Sequence, residues 1–101
     1  MIRWMRTAQI AGPKTMQAMA WTKELQDYMK EKYGSESSAQ VFIDIFGEAG
    51  TIRWIVDYEN LAALEKRMQQ ISEDQGYWQR LEKAEDLFIK GKVHDVVMRS
   101  I

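Results

Sequence analysis

His94 is the single histidine of the chain, and with no cysteine present it is the one side chain whose ordinary pKa, about 6.5, lies near neutrality. In a pocket it would act as a general base or as an axial ligand to haem iron, with Asp95 as its neighbour. Adjacent residues of a strand point to opposite faces, so Asp95 does not readily orient His94, and a structural or surface role is the plainer alternative. Arg6 is the second candidate. It shares a strand face with Trp4, and an arginine beside an aromatic ring suits a carboxylate or a phenolate. Its plainer fates are an ion pair at an interface or exposure to solvent. Trp21 and Trp54 complete the set. They either line a slot for a flat aromatic ligand or pack as ordinary core, with indole nitrogens that still want partners.

Other chemistry is missing from the sequence. The six glycines form neither a dinucleotide fingerprint nor a phosphate loop. One histidine cannot make H-E-x-x-H, no Asp/Asn ladder resembles a calcium loop, and absence of cysteine excludes disulfides, iron–sulfur clusters and thiolate zinc sites. No serine sits in a G-x-S-x-G elbow. The expectation is therefore no metal and no cofactor.

The elements that must hold these residues are legible along the chain. Residues 2–10 read as a strand closed by Gly12-Pro13. From Lys14 to Tyr33 the residues Ala18, Trp21, Leu25, Tyr28 and Met29 share one helical face, and Gly34 supplies a stop. Gln40–Phe46 and Thr51–Tyr58 read as a hairpin around Gly47-Glu48-Ala49-Gly50. A symmetric loop would set Val41 against Val56, Ile43 against Trp54 and Ile45 against Ile52 on one apolar face. The other face would carry Phe42–Ile55, Asp44–Arg53 and Gln40–Asp57. Asn60 caps a second helix with Leu61, Leu64, Met68 and Ile71 on its buried stripe. Gly76 interrupts it, predicting a kink or a short third helix, and residues 92–101 make a last strand.

The order βαββαβ, in a single domain spanning residues 1–101, is the ferredoxin-like α+β arrangement: a four-stranded antiparallel sheet with both helices on one face. The all-apolar hairpin face suits the helices. The opposite face holds Phe42, Phe46 and Ile55 beside Asp44–Arg53, joined by either Ile2 and Trp4 or Met5 from the outer strands. Monomers seldom expose a contiguous apolar patch beyond about 300–600 Å². Two copies stacked sheet to sheet would cover it, so a homodimer is expected.

Several segments are similar to NIPSNAP-like bacterial members of the dimeric α/β-barrel superfamily. They are Ala20-Trp21-Thr22-Lys23-Glu24-Leu25, the hairpin with Phe46-Gly47 and Ile52-Arg53-Trp54, and Tyr58-Glu59-Asn60-Leu61-Ala62-Ala63-Leu64-Glu65. Gly76-Tyr77-Trp78, Leu87-Phe88-Ile89 and Val93-His94-Asp95 extend the likeness over nearly the whole chain. The resemblance implies a dimeric barrel with ligands seated between helices and sheet. It also implies kinship with cofactor-free antibiotic-biosynthesis monooxygenases and haem-degrading enzymes. The latter carry a histidine on the second helix, with an asparagine and a tryptophan as partners; this chain has no histidine there.

Composition narrows the classes. With 14 basic and 15 acidic side chains, a net charge of −1 and no long apolar stretch, neither nucleic acid nor membrane is an expected partner. No apolar signal segment follows Met1-Ile2-Arg3-Trp4-Met5-Arg6, and the expected address is cytoplasmic. RNA-recognition motifs share the element order but need a Lys/Arg-Gly-aromatic pattern, which the third strand, Thr51–Tyr58, lacks. Two readings stay open. One is an enzyme that oxidises a small aromatic molecule in a helix–sheet pocket. The other is a non-catalytic ligand-binding or regulatory module, the role that ACT domains play on the same element order.

Overall fold

A computed structural model describes all of residues 1–101. The chain runs β1 (Ile2–Gln9), α1 (Thr15–Tyr33), β2 (Gln40–Ile43), β3 (Thr51–Tyr58), α2 (Leu61–Ser72), α3 (Gln75–Lys83) and β4 (His94–Arg99). The strands form one antiparallel sheet in the order β2-β3-β1-β4, the ferredoxin-like topology. No helix is long and apolar enough to cross a membrane.

Alternation along the two central strands decides which residues meet the helices. Trp4 lies opposite Val56, Arg6 opposite Trp54 and Ala8 opposite Ile52, so these six side chains share the helix-packed face. The core forms there from Ala8, Ile10, Ala18, Ile52 and Trp54, with Trp4, Trp21, Val41 and Phe88 packed around it. Ile52 is wholly buried, and burying a side chain of that size contributes roughly 1.5–3 kcal/mol. Met5, not Ile2 or Trp4, is the β1 residue that joins Ile55 on the opposite face.

The hairpin departs from the symmetric register by two residues. Val41 faces Trp54, Phe42 faces Arg53 and Ile43 faces Ile52. A shift of two keeps the residues that remain paired, Gln40 to Ile43, on their expected faces. It ends β2 at Ile43, however, and lengthens the connection. Gly47 and Gly50 both adopt positive φ (122° and 83°), and Thr51 turns back to bond the Glu48 carbonyl at 2.9 Å through its hydroxyl. Ile45 and Phe46 are thrown out of the sheet, 89% and 93% exposed, so neither takes the face assigned by the symmetric loop. Asp44 still reaches Arg53, with a bidentate pair at 2.9 and 3.0 Å. Asp57 pairs with Arg3 at 2.8 Å instead of facing Gln40.

The second helical region is broken near Gly76, but the break itself falls at Glu73-Asp74. Asp74 is the N-cap of α3 and accepts from the Tyr77 amide at 3.1 Å. Its carboxylate also accepts from the Tyr28 and Tyr33 hydroxyls, at 2.6 and 2.7 Å, and meets Lys32 Nζ at 3.0 Å. Burial alone would raise the Asp74 pKa; the hydrogen bonds from Tyr28, Tyr33, Lys32 and the Tyr77 amide outweigh it and hold the carboxylate well below its ordinary range. Gly76 has a separate task. A Cβ there would collide with the Tyr28 hydroxyl, so glycine lets the α1 tyrosine reach the cap. Beyond α3 a 3₁₀ turn (Glu85–Leu87) leads to Phe88, whose backbone is extended and bridges to Ile10.

Candidate functional site

Between the sheet and the helices lies a cavity of about 270 Å³, lined by 19 residues of which 14 are hydrophobic. That balance makes it a seat for an apolar guest. Its floor is the inner sheet face, with Trp4, Arg6, Trp54, Val56 and Tyr58. One wall is α1, through Trp21, Thr22, Leu25 and Met29, and the other is α2 and α3, through Leu64, Met68, Ile71, Tyr77, Trp78 and Leu81. The α2–α3 wall is lightly anchored: Leu64 is the one buried residue in α2, and α3 has none.

Trp21 and Trp54 meet edge to face, their centroids 6.4 Å apart, and Phe88 completes the triangle at 5.5 Å from Trp21 and 5.6 Å from Trp54. Such contacts add about 0.5–1.5 kcal/mol each beyond burial. The two indoles are thus both core and cavity wall. Trp21 donates from Nε1 to the Arg80 carbonyl at 2.8 Å, which ties α1 to α3.

Arg6 faces the cavity with its guanidinium already held. Nε and Nη2 donate to Asp95 Oδ1 and Oδ2 at 2.7 and 2.9 Å, across the β1–β4 pairing that sets the two residues opposite each other. The same guanidinium lies 5.3 Å from the Trp4 ring centre. The hydrogen bond to Asp95 raises the Arg6 pKa, and its counterpart lowers that of Asp95, so both stay charged and cancel. The fork expected to grip a ligand carboxylate therefore grips one from its own sheet.

His94 is not in this assembly. It pairs opposite Thr7, which places it with Met5, Val96 and Met98 on the outer face, while Asp95 points inward to Arg6. The structure brings Arg6, Trp21 and Trp54 together and leaves His94 on the far side of the sheet, exposed. No group of three or more His, Asp and Glu side chains gathers where it would hold a metal ion.

Most polar side chains in the cavity wall have protein partners. Gln26 donates to the Ala39 carbonyl at 2.8 Å, Ser37 to the Met29 carbonyl at 3.1 Å, and Ser72 to the Gln69 carbonyl at 2.7 Å. Burial raises the Tyr58 pKa and keeps that phenol protonated. Two wall residues differ: Thr22 Oγ1 and Trp54 Nε1 are buried with no hydrogen-bond partner. Two other unpartnered atoms, on Arg67 and Arg80, belong to residues outside the wall. Thr22 was not singled out in the sequence, although it stands four residues after Ala18 and so on the buried stripe of α1. Asp95 as the partner of Arg6, and Tyr77 and Trp78 as wall residues, needed the β1–β4 register and the helix break to be seen.

A four-stranded antiparallel sheet with its helices on one face and a cavity beneath them defines the class: a ferredoxin-like α+β domain. The chain belongs to the Family of unknown function (DUF6039), whose model matches residues 2–98. It is similar in structure to protein Atu4242 of Agrobacterium tumefaciens, a NIPSNAP family protein, at TM-score 0.81 and 15% identity, over 100% of this chain and 94% of that one. A NIPSNAP domain protein of Burkholderia xenovorans gives 0.80 at 12% identity, covering 100% and 95%. An antibiotic biosynthesis monooxygenase gives 0.69 at 14%, covering 100% and 99%. At such identities the likeness is one of fold. No curated protein matches the sequence.

Proposed function

We propose that this protein is a homodimeric binder of a small, flat, largely apolar molecule, held between α1, α2–α3 and the inner sheet face. The observation that carries this reading is the roughly 270 Å³ cavity walled by Trp4, Trp21 and Trp54. The sites expected of a catalyst are not gathered around it. His94 lies outside, Arg6 and Asp95 neutralise each other, and Tyr58 is held protonated. A non-catalytic module therefore suits the geometry better than an oxygenase, whose support is the shared fold.

Dimerisation rests on the outer face. Met5, Phe42, Ile55, Val96 and Met98 form an apolar strip there, and Arg53–Asp44 and Arg3–Asp57 border it. Apolar centre and charged rim are the anatomy of an interface. Native mass spectrometry of gently purified protein is the test. The expected result is a dimer that retains a small organic guest, with Leu25→Trp filling the cavity and removing the guest but leaving the dimer. A bare monomer in both samples would defeat both halves of the proposal.

A further inference from the structure

The sheet has two edges, and β4 is the less protected one. β2 has four residues, whereas β4 has six, His94–Arg99, with neither proline nor lysine among them. All six are exposed, and Val96, Val97 and Met98 stand in a row at 43%, 48% and 38%. Native edge strands are usually shortened, charged or covered, because their free N–H and C=O groups accept another strand.

The pairing with β1 fixes which groups are free. Ser100 donates its backbone N–H to the Met1 carbonyl at 2.9 Å, so the even-numbered residues of this antiparallel ladder turn their backbone groups toward β1. Asp95, Val97 and Arg99 turn theirs toward the open edge, and their side chains share the inner face with Arg6, Trp4 and Ile2. A two-fold axis at Val97 uses all three sets of groups. It sets Val97 against Val97 of a second copy, and each Asp95 against an Arg99. The side chains agree with that register. Arg99 makes no ion pair within its own subunit, and the Asp95 carboxylate, held by Arg6, has lone pairs left to accept from it. Sliding by one residue would oppose free groups to groups already bonded to β1, and sliding by two would part Asp95 from Arg99.

We infer that β4 is a self-complementary docking edge, joined antiparallel to β4 of a second copy about a two-fold axis at Val97. This contact is distinct from the sheet-face dimer proposed above, because it uses backbone groups at the edge and leaves the outer face open. Val96 of each copy then lies beside Met98 of the other, so the outer apolar strip continues across the seam. About six backbone hydrogen bonds over one short strand make a small interface. The edge contact therefore joins dimers at high protein concentration, and dilute protein stays dimeric.

The chain has no cysteine, so single thiols report the register. Val97→Cys places like residues across the axis with Cα atoms about 5.5 Å apart, within disulfide reach. Met98→Cys places them about 8 Å apart, beyond it, and on the outer face. Under mild oxidation of concentrated protein, read by mass spectrometry, Val97→Cys should cross-link about tenfold faster than Met98→Cys. Adding Arg99→Asp should slow it. Adding Ile55→Lys should leave it intact, which separates the edge from the sheet face. Equal rates, or faster linking of Met98→Cys, would overturn the edge pairing while the sheet-face dimer stands. Loss of the Val97→Cys link in Ile55→Lys would overturn its independence. A second variant needs no thiol. Val97→Pro removes an outward N–H and spares the β1 ladder, so it should keep the circular dichroism of the native chain. It should also abolish the concentration-dependent growth in mass that small-angle scattering shows for the native chain. Absence of that growth in the native chain, or its persistence in Val97→Pro, would overturn the inference.

Discussion

The two faces of the sheet are built from alternate residues of the same strands, yet they solve different problems. On the inner face Ala8, Ile52 and Trp54 are buried under α1, and Arg6 is neutralised by Asp95 from the neighbouring strand. On the outer face Met5, Ile55 and Val96 have no helix above them, and charge stands at the border as Arg3–Asp57 and Arg53–Asp44. Water and salt screen ion pairs at the surface, so each contributes little. Those border pairs therefore do little for a lone subunit; their placement makes sense as a rim. The inner face is finished by its own chain; in the proposed homodimer the outer face would be covered by a second copy.

Substitution on the two faces should break this comparison most sharply. Ile52→Ala, at a fully buried site, should cost about 2–5 kcal/mol in urea unfolding, whatever the assembly state. Ile55→Lys, three residues along, should leave a folded chain but shift it from dimer to monomer in light scattering. Equal loss of folding in both would mean that the outer face is ordinary core. A dimer that persists in Ile55→Lys would move the interface elsewhere.

Asp74 sharpens the comparison on the helix side, because it holds α1 to the α2–α3 wall. Asp74→Ala should cost about 3 kcal/mol, since it leaves the Tyr28 and Tyr33 hydroxyls and Lys32 without their shared partner. The pH dependence has a definite sign. The folded carboxylate titrates below its ordinary 3.8, so the unfolded chain takes up the proton first as pH falls. Its contribution is complete above about pH 4–5 and is lost progressively as pH drops below 3.8 toward the folded value. In Asp74→Asn the slope of stability against pH between about 2 and 4 should flatten, by up to 1.36 kcal/mol per unit. An unchanged slope would assign acid sensitivity to the Asp44, Asp57 and Asp95 pairs instead.

A smaller effect is expected at Gly76. Gly76→Ala brings a methyl group against the Tyr28 hydroxyl and should cost about 1–3 kcal/mol in thermal or urea unfolding. In a Tyr28→Phe background the same substitution should cost less, because the colliding oxygen is gone. The smallest effect belongs to Phe46→Ser. At 93% exposure it should change subunit stability by less than about 0.5 kcal/mol. Any weakening of the dimer by Phe46→Ser would extend the interface to the β2–β3 loop.

Much of this molecule was legible in the residues themselves. Period-two alternation in Thr51–Tyr58 and the helical stripe from Ala18 to Met29 assign elements and faces, because burial repeats with the geometry of each backbone. Asn60 marks a helix start by its own chemistry, accepting from the Ala63 amide at 2.9 Å. The placement of Trp21 and Trp54 at the helix–sheet gap follows from those two patterns. The hairpin register did not, because two glycines permit loops of several lengths and a shift of two residues keeps Gln40 to Ile43 on the same faces. The helix break also escaped by a few residues: Gly76 weakens a helix locally, but Asp74, held by two tyrosines from α1, fixes where the chain turns.

Local sequence thus determined the order of elements, the buried stripe of α1 and the two faces of β3, since each depends on residues a few positions apart; which face of β1 meets the helices was left open and was decided by its pairing with β3. Tertiary structure alone decided that Arg6 meets Asp95, that His94 faces away, and that Thr22 Oγ1 and Trp54 Nε1 are buried without partners. Those outcomes depend on β4 pairing beside β1 and on α1 crossing β3. Contacts between segments dozens of residues apart are set by how the whole chain packs, and no short stretch of it carries that information.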